Sequence, residues 1–433
     1  MSRRDRRFSL AGVRRAASVS AFLAVLAGGV TPAEAGIPSA TEIPIAGEVP
    51  TLDSPALAPE ITPGSDQPLM KPESEVVGTT LAATESENCG TPTTEGEFSC
   101  FQVTSPGKQS ALSSGTTSAS VSPPQWCEES TGTPLGTRTQ VCQTNAGIYT
   151  TYKKVDGVVS ISGQAKLLII NYSYTDTGLG TFAHQIETSA YQGWGEALKA
   201  TISGKATRNG QCKVQSSSFP SKPLSPLNSW QVGESFFDTT AVNDGDIGTC
   251  ATKWTITILN GSQLPVNAVY ELNEIRCDNA TPGRPKVGCV VPWFPSLLSY
   301  SAARAPGLVR HVTLAQQSGL PGATFEKPLR RTTDSALIGR NRLMACGDAP
   351  SIQGKSCDEY PFASTKNGLA TGGNRRTFDD CDLPSIPSGT GASGVSVCMV
   401  PKEDQDYQGG TNTQFYRSER VINKDPFRVG FTA

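Results

Sequence analysis

"KSCDEYPFAST", residues 355–365, sets two carboxylates, Asp358 and Glu359, side by side between a cysteine and an aromatic–proline step. Acidic pairs are common on surfaces, where water solvates them. This one is pinned between a potential disulfide and an X-Pro bond, and the residue before a proline is held to extended backbone. Working outward, "VRHVTLAQQSGLPG" (309–322) reads as a short helix stopped by Gly-Leu-Pro-Gly. "TTDSALIGRNRLMACG" (332–347) reads as a helix capped near Thr333-Asp334, with Leu337, Ile338 and Leu343 on one face. After the acidic pair come a Gly/Ser-rich loop (about 367–394), a strand "VSVCMV", a helix starting after Gly410, and a closing strand "DPFRVGF". Helices and strands are mixed without regular alternation, so the expected class is α+β.

Upstream the pattern changes. "AKLLIINYSYT" (165–175) and "KWTITILNGS" (253–262) alternate apolar and polar residues with a period near two, and "VDGVV" and "LNGSQ" carry Asp-Gly and Asn-Gly turn signals. An antiparallel, sandwich-like β-rich module is expected over 88–303, ahead of an α+β domain over 304–433. Trp126, Trp194, Trp230 and Trp254 are either core residues of that module or a platform for a cell-wall or other surface ligand. His184 stands without a cysteine or aspartate partner at a useful spacing and reads as structural.

The N-terminus joins a basic stretch, "MSRRDRRFSLAGVRR", to the apolar "AASVSAFLAVLAGGV" and then "AEA" at 33–35. That order is a cleaved export signal over 1–35, by a route the loosely fitting arginine pairs leave open. The apolar run falls short of about 20 residues, so no stable membrane insertion is expected. Residues 36–87 are rich in Pro, Thr and Ser without hydrophobic periodicity and read as a disordered linker. The twelve cysteines form no C-x-x-C knuckle, which argues against zinc and for disulfides made in an oxidising compartment. Sequence neighbours are the expected pairs, among them Cys346 with Cys357 and Cys381 with Cys398. Mean hydropathy is −0.26, and the net charge of −2 hides an asymmetry. Residues 301–433 hold 16 Lys/Arg against 13 Asp/Glu, a net of +3, which is compatible with a polyanionic substrate.

Hydrolysing a phosphodiester needs a base for water, a divalent cation and groups that neutralise developing charge. His311 is remote in sequence from the acidic pair, and no G-x-S-x-G elbow occurs. Carboxylate and amide oxygens remain, and they suit a hard cation such as Mg²⁺ or Mn²⁺. The candidates are Asp358, Glu359, Asp404, Gln405, Asp406, Asn412 and Gln414, with Arg340 and Arg342 of "GRNR" placed to grip phosphate.

"NRLMACGDAPSIQGKSCDEYPFAST" (341–365), followed by "GVSVCMVPKEDQDYQGGTNTQFYRSERVINKDPFRV" (394–429), resembles the NucA/NucB deoxyribonuclease domain of secreted bacterial nucleases. The shared features are an upstream Asn-Arg, the Asp-Glu-aromatic-Pro core, a Gly-rich loop, a Gly-Gly helix start and a closing Asp-x-Phe-x-Val. "RCDNATPGRPKVGCVVPWFPSLLSYS" (276–301) also resembles the region that precedes this domain in larger secreted actinobacterial proteins. The resemblance implies a compact ββα-metal nuclease in which an aspartate stands where the usual catalytic histidine would. Asp358 is then the general base and Glu359 an acidic site residue at the metal. Asn412 or Gln414 on the following helix would help hold the cation, and Tyr360 and Pro361 would fix the strand end. The family's Asp-Asn ahead of Gly-Gly is here Asp404-Gln405, which puts Asp404 on the metal side. The expectation is therefore a secreted, Mg²⁺- or Mn²⁺-dependent endodeoxyribonuclease without strong sequence preference. The rival expectation is a surface- or glycan-binding protein whose nuclease-like domain is silent.

Overall fold

The computed structural model describes residues 87–104, 121–130 and 132–433. The expected leader (1–35) and all but the last residue of the expected linker (36–87) lie outside them. Among the described residues the chain is mixed α+β, mostly strand, with three α-helices. Among the described residues, no helix is long and apolar enough to cross a membrane.

The β-rich part is built on three long antiparallel strands: β1 (Gln140–Val155), β2 (Val158–Tyr174) and β3 (Thr181–Gly195). Asp156-Gly157 turns β1 into β2 with φ of 52° and 84°, and Val155 faces Val158 across the turn. Positive φ at both central residues is the type I′ geometry that matches strand twist, which is why Asp-Gly sits there. These strands centre an eight-stranded sheet that shares one hydrophobic core with a six-stranded sheet. In the latter, Ile247–Leu259 buries every second residue, as its period-two spelling requires. In β2 the alternation ends in a continuously buried run, because Trp126, Cys127 and Leu135 cover its outer face over Ile170 and Tyr172.

All six disulfides join sequence neighbours. Cys89–Cys100 and Cys277–Cys289 bridge directly opposed strand residues, and Cys212–Cys250 staples the two sheets together. Trp126 and Trp254 are buried and Trp230 is half-buried, leaving Trp194 exposed, so the four tryptophans form no common platform. His184 is structural. It is buried between Asn171 Oδ1 (2.6 Å) and Thr252 Oγ1 (2.8 Å), and burial pushes its imidazole down to about 3.

The C-terminal part begins with β4 (Ser296–Ser301), followed by helices α1 (Pro306–Gln317) and α2 (Ser335–Cys346). Then come β5 (Lys355–Tyr360), β6 (Val395–Pro401), α3 (Lys402–Ser418) and β7 (Pro426–Thr432). β4 pairs in parallel with β7, while β5 and β6 pair antiparallel with Asp358 opposite Cys398. Two expectations are corrected here. α3 starts at Lys402, directly after Pro401, so Gly409 and Gly410 lie inside the helix and not at its start. α2 begins at its Asp334 cap as expected, but its buried residues are Asn341 and Ala345, and Leu343 is exposed. Asn341 explains the difference. Its amide donates to Ala363 O and Thr365 O and accepts from Ala370 N–H, so a satisfied polar side chain holds the inward face.

The two parts meet through buried ion pairs. Arg138 and Arg276, from the β-rich part, converge on Asp425 at 2.7 and 2.5 Å. Arg420 in turn is fully buried on Asp278 at 2.9 Å. Burial alone would raise the Asp278 carboxyl, but the hydrogen bonds from Arg420 and the charges of Arg276 and Arg420 hold it below its usual range. Arg284 caps the end of α3 by donating to Arg417 O (3.0 Å) and Ser418 O (2.9 Å).

Candidate active site

Neighbours on a strand project to opposite faces. Asp358 and Glu359 therefore diverge: Asp358 turns toward α1 and α3, Glu359 toward α2. The side-by-side spelling does not make a single two-carboxylate ligand. β5 is held in place by Tyr360, fully buried, whose hydroxyl donates to Pro321 O (2.8 Å) and accepts from Gln316 Nε2 (3.0 Å). The Cys346–Cys357 bridge ties the same strand to α2, and Cys381–Cys398 ties the Gly/Ser-rich loop to β6.

Asp358 is 1% exposed and fixed through both oxygens. Oδ2 lies 2.7 Å from His311 Nδ1, and Oδ1 accepts from Gln408 Nε2 at 2.9 Å. The other ring nitrogen, His311 Nε2, is 2.9 Å from Ser396 Oγ. His311, 47 residues before Asp358, is thus one of its two hydrogen-bond partners. Sequence distance concealed this, and the one available signal was a lone histidine among Leu308, Val312 and Ala315 on the buried face of α1.

Gln408 is itself oriented by Gln405, whose Nε2 donates to Gln408 Oε1 at 2.8 Å. This leaves Gln405 Oε1 buried without a hydrogen-bond partner. Gln405, Gln408 and Asn412 fall at i, i+3 and i+7 of α3, one face of the helix. That face lines a cleft of about 470 Å³ together with Asp358 and Glu359. Burial, and then the charge of Asp358, push the half-buried Glu359 carboxyl up to about 8, with Arg342 pulling it the other way.

Arg342 lines the cleft, and so does Arg331, which sequence reasoning passed over. The Arg331 guanidinium lies 3.9 Å from the Tyr416 ring centroid, and its Nη1 donates to Thr332 O (2.8 Å) and Ser364 O (2.9 Å). Its Nε is buried and unpartnered. A stacked, planar donor with a free N–H suits phosphate oxygens.

Other expected residues lie elsewhere. Arg340 and Gln414 are exposed and outside the cleft lining, and Asp406 is exposed in an ion pair with Lys402 at 2.6 Å. Asn412 lines the cleft, but its Oδ1 already accepts the Tyr300 hydroxyl. Asp404 is the clearest correction. It is 2% exposed, and its Oδ2 accepts from Leu308 N at 3.0 Å, in the first turn of α1, where the cap residue Ala305 has no side-chain acceptor. A carboxylate at a helix N-terminus satisfies an otherwise orphaned N–H and meets the positive end of the dipole. Asp404→Ala should cost about 1–2 kcal/mol of stability in denaturant unfolding, as loss of a cap does. Asp404→Asn, which keeps an acceptor, should recover most of it, and neither change should weaken Mn²⁺ binding in a calorimetric titration.

The cleft's donor set suits a hard cation. The cleft is lined by the Glu359 carboxyl and by Gln405, whose amide oxygen is a buried acceptor with no protein donor to satisfy it. Magnesium commonly takes one or two carboxylates and keeps its remaining sites for water and phosphate.

No curated protein matches the chain. The match to a known family begins after α1, so it omits His311, and runs through α2, the acidic pair and α3 into β7. Residues 327–430, the C-terminal part of the chain, match the family model for Deoxyribonuclease NucA/NucB.

Proposed function

We propose that the chain is an exported, divalent-cation-dependent endodeoxyribonuclease whose general base is Asp358. The family match supports nuclease chemistry on DNA. The observation that carries the finer reading is Asp358 itself, a carboxylate buried to 1% exposure yet lining an open cleft, aimed by one helix through His311 and by another through Gln408. Burying a carboxylate so completely is costly unless it is hydrogen-bonded, and here both oxygens are held in one orientation. Strands β5 and β6 followed by α3 would, in this reading, be the two strands and helix of a ββα-metal arrangement. Six disulfides are typical of extracellular proteins, and the N-terminal leader would provide the export.

In this reading Gln405 and Glu359, whose carboxyl burial pushes up to about 8, are the residues that would hold Mg²⁺ or Mn²⁺. The bound cation would supply charge neutralisation at the phosphate oxygens. Asp358 Oδ1 takes the proton of the attacking water as the water oxygen bonds to phosphorus. The bond from phosphorus to the leaving sugar oxygen breaks, and that oxygen takes a proton from solvent. Arg331 and Arg342 face the added negative charge. His311, holding Oδ2, keeps Oδ1 directed to the cleft.

The oxidised mature chain should nick and linearise plasmid with Mg²⁺ or Mn²⁺, and excess chelator should remove at least nine-tenths of the rate. Cleavage indifferent to chelator would sink the cation requirement. An intact, folded chain that leaves plasmid untouched would sink the nuclease reading and move attention to the β-rich part. RNA run in parallel separates deoxyribonuclease action from a broader phosphodiesterase.

A further inference from the structure

Gly409 and Gly410 sit in the middle of a 17-residue helix, where glycine is among the poorest residues. Gly368 and Gly307 of this part are explained by what surrounds them, whereas Gly339 in α2, away from the cleft lining, is as open as these two. A Cβ at Gly368 would lie 2.3 Å from the Asn341 amide, and one at Gly307 would lie 2.8 Å from Pro401 Cδ. At Gly409 and Gly410 a Cβ would meet nothing within 4 Å, and neither residue has positive φ. The protein's own packing and backbone therefore require neither glycine.

The two differ in direction. Gly409 lines the cleft, one turn after Gln405 and one turn before Asn412 and Thr413, while Gly410 is exposed outside the cleft lining. At one end of this helix face is the unpartnered Gln405 Oε1, and at the other Arg331 lies over Tyr416 with its Nε unpartnered. Between that orphaned acceptor and orphaned donor, the wall of the cleft carries the side chains of Gln408, Asn412 and Thr413 and, at Gly409, bare main chain.

We propose that the bare α3 surface at Gly409 is the floor on which the sugar–phosphate backbone of the bound DNA strand lies, with Arg331 holding a phosphate beside it. This deepens the nuclease reading and rests on it. Gly409 serves the substrate: a methyl there occupies the space a nucleotide needs at closest approach to the helix. Gly410 carries no such duty.

The test compares Gly409→Ala, Gly410→Ala and the wild-type full chain, all disulfide-bonded, in thermal unfolding and in steady-state cleavage of linear duplex DNA with Mg²⁺. Both substitutions should raise the unfolding midpoint, by about 1–3 °C, because alanine is the better helix former. Gly410→Ala should keep the wild-type KM and kcat. Gly409→Ala should raise KM roughly tenfold, the expected result of intruding on a close contact, and Gly409→Leu should raise it further. A Gly409→Ala variant that cleaves DNA like the wild type overturns this proposal alone, since cleavage itself leaves the nuclease reading standing. A wild type that neither cleaves nor binds duplex DNA overturns both.

Discussion

Asp358→Asn should lower kcat for DNA cleavage by about 10²–10⁴-fold, the range over which a positioned general base contributes, while leaving the unfolding midpoint close to wild type. The substitution is nearly isosteric. Asparagine keeps an oxygen to accept from Gln408 Nε2, 2.9 Å from wild-type Oδ1, and turns its amide nitrogen toward His311 Nδ1, 2.7 Å from wild-type Oδ2. What is lost is the capacity to take a proton from water. Plasmid nicking under single-turnover conditions isolates that step from product release. A variant that nicks at the wild-type rate would show that the buried Asp–His pair only braces α1 against β5. A variant that is inactive because it is unfolded would betray itself in the same melting curve.

Asp425→Ala should remove about 3–5 kcal/mol of stability, the usual consequence of taking one partner from a buried charge pair. Asp425 is one carboxylate shared by two guanidiniums, Arg138 Nη2 at 2.7 Å and Arg276 Nη1 at 2.5 and 2.6 Å, all three side chains under a tenth exposed. Without it Arg138 is left buried without a carboxylate beside Arg276, which keeps only Asp278 at 3.3 Å. Burial already lowers the pKa of Arg138, with the attraction of Asp425 opposing that shift. Urea unfolding followed by tryptophan fluorescence reads the change. An effect below about 1 kcal/mol would mean that water enters the junction and solvates the arginines. The same residue closes the Asp-x-Phe-x-Val motif of the C-terminal part, so a motif that reads as belonging to the nuclease domain is also its bond to the β-rich part.

Some of this was decided by short-range chemistry and was legible in the chain. The Asp156-Gly157 turn, the period-two strands and the α1 stop at Gly319 depend on φ preferences and side-chain alternation over a few residues. The sequential disulfides close short loops between neighbouring elements, and the Asp-Glu-Tyr-Pro strand end is local as well. The inward face of a helix is a different matter, because it is set by what the helix packs against. α2 turns Asn341 inward because three backbone groups of another segment satisfy it, against the apolar spelling of Leu343. Asp404 resembles a metal ligand in sequence, yet it caps α1, since the start of α3 meets the start of α1 only in the folded chain. His311 reaches Asp358 across 47 residues and Gln408 reaches it across 50. Sequence by itself determined which carboxylate is presented and on which strand. Tertiary structure alone decided what surrounds it, because hydrogen-bond partners this far apart are chosen by the packing of three elements and not by spacing along the chain.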